Sequence, residues 1–129
     1  MTNHEIYDAA LRLASEVANT GTNDDYQERA PYLIAAACHR YAALDSCYRD
    51  ANGLESQKIL EINCFPLTTL FPLCNVFSVP VSMAVAGMLV LEENPQMSER
   101  LLKIADDVIA EIQKAIPFKK EKILSHYVF

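Results

Sequence analysis

From Val79 to Leu91 the chain is apolar almost without interruption: Val79-Pro80-Val81-Ser82-Met83-Ala84-Val85-Ala86-Gly87-Met88-Leu89-Val90-Leu91, closed by Glu92-Glu93. A helix that is apolar on nearly every side must be buried among other elements. The rest of the chain is therefore organised around this stretch. After the break at Asn94-Pro95, apolar residues recur at Met97, Leu101, Ile104, Val108, Ile112 and Ile116, with a supporting row at Leu102, Ala105 and Ile109. That four-then-three spacing marks one wide helical face. The short connection folds the second helix back on the first. Ser78 and Asn94 are expected to cap the two helices, and Pro80 and Pro95 sit where a missing N–H costs little. Gly87, inside the apolar helix, costs about 1 kcal/mol relative to alanine and so predicts close approach of another helix.

Upstream, Thr2-Asn3-His4-Glu5 fits a capping box and predicts a first helix starting at Thr2. Its face is Ile6, Ala10, Leu13 and Val17, flanked by Tyr7, Leu11, Ala14 and Ala18, wide enough to lie between two neighbours. It is expected to end at Asn19-Thr20-Gly21. Thr22 or Asn23 caps the next helix, with Asp24, Asp25 and Glu28 in its first turns, where the helix dipole favours negative charge. Pro31 calls for either a short turn before it or a kinked helix. Beyond it, Leu33, Ala37, Tyr41, Leu44, Tyr48 and Ala51 keep helical period up to Asn52-Gly53, while His39, Arg40, Asp45, Arg49 and Asp50 read as the solvated face. Residues 54–77 read as a connector with a short helix and room for a brief extended piece, Thr68 or Thr69 capping a turn through Leu70–Leu73. Pro117 stops the last helix, and the tail ends in the apolar Tyr127-Val128-Phe129, which docks on the core or on another copy.

The pattern predicts one all-α domain over residues 1–129, a compact bundle of about four main helices with a C-terminal helical hairpin and an apolar tail. A chain of this length buries roughly two thirds of the surface exposed when unfolded. The apolar run is shorter than the ~20 residues of a bilayer-spanning helix, so no membrane span is expected. The start Met1-Thr2-Asn3-His4-Glu5 lacks the basic segment and apolar run of a signal peptide, which predicts a cytoplasmic protein. A net charge of −6 opposes nucleic-acid binding, which needs clustered cations to release phosphate counterions. The one basic cluster, Lys119-Lys120-Glu121-Lys122, is interrupted.

Few residues suggest chemistry. Cys38, Cys47, Cys64 and Cys74 are never two to four residues apart, so they read as reduced, metal-free apolar residues. Cys38 and His39 are adjacent and diverge on a helix, a poor nucleophile and base pair. His4 and His126 have no motif company. Asp106, Asp107 and Glu111 lack the Glu-x-x-His partners of helical di-metal sites and read as a solvated acidic face. With 3 glycines at Gly21, Gly53 and Gly87, no phosphate-cradling or dinucleotide loop can form. No catalytic, cofactor-binding or metal residue is assigned, and the chain is expected not to be an enzyme.

The phrases Asp25-Tyr26-Gln27-Glu28-Arg29-Ala30-Pro31-Tyr32-Leu33, Phe71-Pro72-Leu73 and Val79-Pro80 through Leu91-Glu92-Glu93-Asn94 resemble small all-helical proteins encoded beside structural genes in phages and prophages of Gram-positive bacteria, including head-tail connector (adaptor) proteins. The resemblance runs from about Asp25 to Gln113. It implies a non-catalytic virion assembly protein that self-associates as a ring and binds portal or tail proteins. Such a protein sits in the bacterial cytoplasm during assembly and in the virion afterwards. A different class, a small cytoplasmic helical regulator or protein-binding module, would use the same architecture and stay monomeric or dimeric.

Overall fold

The computed structural model of the protein describes residues 1–14, 23–57 and 63–116. Its helices are α1 (Asn3–Leu13), α2 (Asn23–Ala51), α3 (Ser78–Leu89) and α4 (Pro95–Ala115), with a 3-10 turn at Asn75–Phe77 leading into α3. The fold is all-α, a compact four-helix bundle, and the described residues hold no sheet. A lone antiparallel bridge joins Thr2 to Leu70. α3 is the central helix and packs against each of the other three. Its Val81, Ala84, Val85, Ala86 and Leu89 are buried, as an apolar circumference requires. None of the helices among the described residues is long and apolar enough to cross a membrane.

The hairpin forms as its sequence requires. The Asn94 side chain accepts a hydrogen bond from the Met97 amide at 3.1 Å, and Pro95 occupies the first turn of α4. Gly87 is the contact point between the two helices. A Cβ there would lie 2.9 Å from Leu102 Cγ and 3.2 Å from the Ser98 carbonyl oxygen, so only glycine lets α4 approach this closely. Ser98, Leu101, Ala105 and Ile112 are buried on α4, as is Ile116 just after it. The expected stripe was too wide, however: Ile104 is 38% exposed, because α4 has α3 as its main neighbour and the edge of its apolar face stays in water. Ser78 is not the N-cap of α3 either. The 3-10 turn continues directly into the helix, Phe77 takes the cap position without a side-chain bond, and the Ser78 carbonyl accepts from the Ser82 hydroxyl at 2.7 Å.

On α1, the Thr2 hydroxyl accepts from the Glu5 amide at 3.4 Å, and Ile6, Tyr7, Ala10 and Ala14 are buried. The expected C-terminal portion of this helix, with Val17, Ala18 and Gly21, lies outside the described residues. The free amides of Asn3 and His4 donate to the carbonyls of Thr69 and Leu67, both at 2.9 Å, so the connector takes over donors that a helix start leaves unsatisfied. The Asn3 side chain, fully buried, donates to the Pro66 carbonyl at 3.1 Å and to Thr69 Oγ1 at 3.0 Å. Thr69 thus anchors α1 rather than capping a turn through Leu73, and the described part of the connector holds one 3-10 turn in place of the expected short helix.

α2 runs through Pro31 without interruption. Asn23 is already helical, and the alternative cap Thr22 lies outside the described residues. Proline removes the donor for the Gln27 carbonyl, while the Pro31 carbonyl accepts from the Phe65 amide at 3.0 Å. Gly53 ends the helix with φ +65°, a left-handed conformation that glycine adopts freely.

Candidate functional site

Two regions concentrate what the bundle offers, and the first overturns an expectation. Asp45 is not on a solvated face but fully buried. It follows Ile34, Cys38 and Tyr41 along the buried side of α2, a line that shares only Tyr41 with the row read from the sequence. Its Oδ2 accepts from Arg49 Nε at 2.8 Å and from Gln57 Nε2 at 2.6 Å, and its Oδ1 accepts from the Cys74 amide at 2.8 Å. Arg49, 17% exposed at its side chain, also donates to the Pro72 carbonyl at 2.9 Å and the Glu55 carbonyl at 3.1 Å. Gln57 reaches the Ala42 carbonyl at 3.0 Å. A buried carboxylate is tolerated when paired and hydrogen-bonded. Here those donors tie both ends of the connector to α2. Both carboxylate oxygens of Asp45 are thus engaged by donors.

The spacing of Asp45 and Arg49, four apart on one helix, was the one legible signal for this cluster. Its remaining partners come from loops far along the chain. The Cys74 thiol is pushed above its ordinary range by burial and by the neighbouring Asp45 charge and hydrogen bond, with Arg49 opposing.

The second region is a cleft of about 360 Å³ between α1 and α3, lined on one wall by Glu5, Ile6, Ala9, Arg12 and Leu13 and on the other by Ser78, Val79, Ser82 and Met83, with Met1 at one end. Its floor and walls are mainly apolar. Glu5 and Arg12 are the charged groups on its edge. Val79 is 51% exposed there, although it belongs to the most apolar helix of the chain. A mainly apolar cleft of this volume suits an apolar ligand or side chain better than a polar substrate.

The residues weighed for chemistry are not brought together. Cys38 is buried, and burial, assisted by the Asp45 charge, pushes its thiol up to about 12. It stays protonated and inert at neutral pH. His39 is exposed, with its ring 5.5 Å from that of Phe65. His4 pairs with Asp8 at 3.1 Å on the surface of α1, and His126 lies outside the described residues. Asp106 pairs with Arg40 of α2 at 3.2 Å, and Glu111 with Lys114 at 3.6 Å, both exposed. Cys38, Cys47, Cys64 and Cys74 form no disulfide. Among the described residues, His, Cys, Asp and Glu form no cluster able to hold a metal ion. No protein-family model, curated protein or solved structure matches the chain.

Proposed function

We propose that this protein is a non-catalytic assembly subunit of the head-tail connector type, associating with copies of itself and with portal or tail proteins. The observation that carries the reading is the placing of exposed apolar side chains at opposite ends of α3. At the hairpin turn, Leu91 is 54% exposed. At the other end, Leu70 is 72% exposed and lies beside Met1, whose carbonyl accepts from the Phe71 amide at 2.9 Å. Met1 in turn lines the cleft with Ser78 and Val79. The two ends are separated by the length of α3, 12 residues or about 18 Å.

Two different apolar surfaces on one subunit suit a head-to-tail contact, in which one surface meets the other on the next copy. Repetition of that contact closes a ring or extends a filament. The ionisable groups fit the same role. The buried carboxylate and guanidinium lock the connector, and the exposed carboxylates leave a net charge of −6. In a ring that conducts DNA, a negative lumen repels the phosphate backbone and lets it slide.

The test is sedimentation of the full chain at high concentration, alone and with a phage portal protein. Ring-sized species, or portal complexes, are expected. A protein that stays monomeric or dimeric in every condition and ignores the portal would replace this reading with that of a helical regulator or binding module.

A further inference from the structure

We infer that the cleft between α1 and α3 receives the α3–α4 turn of a second copy of this chain, with Leu91 of that copy as the side chain that fills it. The inference rests on the head-to-tail reading and names the contact within it. Shape is the first argument. The cleft is a concavity of about 360 Å³, whereas residues 90–94 form a convex turn between two antiparallel helices. Val90 is buried in that turn and Leu91, next to it, is 54% exposed. The occupant has to come from another copy. Val79 and Leu89 stand at opposite ends of α3, ten residues or about 15 Å apart, so no chain brings its own turn to its own cleft.

Charge is the second argument. Leu91 is followed by Glu92 and Glu93, both exposed, so the turn offers an apolar side chain with an acidic flank. The cleft matches both parts. Val79, Met83 and Leu13 supply apolar wall. Arg12 and Glu5 on its edge are equal and opposite, but they stand seven residues apart on α1, two turns or about 10 Å, which exceeds the ~8 Å screening length at physiological salt. A carboxylate arriving beside Arg12 therefore meets a local positive charge and not the sum of the two. The first turn of α3 adds to it. Ser78 and Val79 line the cleft and no side chain caps that helix start, where the helix dipole favours negative charge. The acidic flank of the turn accordingly lies toward Arg12 and the start of α3, with Leu91 on Val79 and Met83. Because cleft and turn are different surfaces, each copy uses both at once and the contact repeats.

Photo-cross-linking tests the contact in the full chain carrying Leu91→p-benzoylphenylalanine, over a series of rising concentrations. Irradiation is expected to give adducts at twice the monomer mass, mapping by peptide mass spectrometry to Val79, Met83 or Leu13 of the other copy. Adding Val79→Glu, a change at an exposed position, should lower their yield about tenfold by setting a charge against an apolar side chain, with the helical circular dichroism signal retained. Arg12→Glu should also lower the yield about tenfold, and Glu92→Lys with Glu93→Lys in the same chain should restore it, since the two charges are then exchanged and again opposite. Two-chain adducts that map elsewhere, or yields that ignore both Val79→Glu and Arg12→Glu, would overturn this inference and leave head-to-tail assembly standing. Adducts joining one turn to another turn, or no two-chain adducts at any concentration, would overturn both.

Discussion

Asp45→Ala should be among the most damaging single substitutions in this protein. It deletes the shared acceptor of three donors, leaving the Cys74 amide, the Gln57 side chain and the Arg49 guanidinium without their carboxylate. Removing one partner of a buried ion pair costs about 3–5 kcal/mol. Arg49 keeps some access to water and its bonds to the Pro72 and Glu55 carbonyls, which places the loss at the lower end, about 3 kcal/mol. For 129 residues, an unfolding entropy of about 2.1 cal/mol/K per residue turns that into a fall in Tm of about 11 °C. Asp45→Asn separates the contributions. It keeps the volume and an acceptor for the Cys74 amide but turns an NH2 group toward two donors, and should cost about 2 kcal/mol. Thermal and urea unfolding followed by circular dichroism measure both, with exposed Asp107→Ala as a control expected within about 0.5 kcal/mol of the parent. An Asp45→Ala protein melting within about 3 °C of the parent would refute the idea that this carboxylate locks the connector to α2.

Three further outcomes follow from the same structure. Gly87→Leu should lose about 1–3 kcal/mol despite better helix propensity, since even a Cβ at that position crowds Leu102 and the Ser98 carbonyl; a leucine variant that melts higher would disprove the close contact. Pro31→Ala should gain about 1–2 kcal/mol in urea unfolding, restoring a donor for the Gln27 carbonyl within α2, less the entropy that proline removes from the unfolded chain; unchanged or lower stability would show that the proline ring is needed where it is. The Cys38 thiol is raised from 9.0 to about 12, so its protonated form favours folding. That contribution is complete below pH 9 and is lost as pH climbs toward 12. Cys38→Ala should consequently show a shallower loss of stability over that interval, and an identical alkaline slope would count against burial of the thiol.

What the sequence discloses and what it hides divide along the range of the forces involved. The hairpin is legible because its causes are local: the apolar circumference of α3, the Asn94 cap, Pro95 and the glycine at the contact all act within a few residues. The position of Ser78 was misread for an equally local reason, because a 3-10 turn already in helical register removes the need for a cap. Asp45 escaped because its burial depends on Gln57 and Cys74, partners supplied by a connector whose path periodicity does not specify. A carboxylate on a helix normally signals solvent, and only those distant donors reverse it. Ile104 shows the converse, an apolar residue in perfect period whose neighbour never arrives. The cleft was half legible. The width of the α1 stripe announced two neighbours, but which helix would stand across from Ala9 and Leu13 is decided by how α3 crosses the bundle.

The central claim, association through two different ends of one subunit, is tested most directly by mixing two variants that each spoil one end. Leu70→Glu and Leu91→Glu change exposed side chains, so both proteins should fold as the parent does. Under conditions where the parent forms larger species, each variant alone should sediment as a monomer, because every contact would then contain a spoiled surface. Mixed in equal amounts, they retain one intact pairing, Leu70 of one against Leu91 of the other, and should form dimers and nothing larger. Higher assemblies from either variant alone, or a mixture that remains monomeric while the parent assembles, would contradict head-to-tail association through these ends.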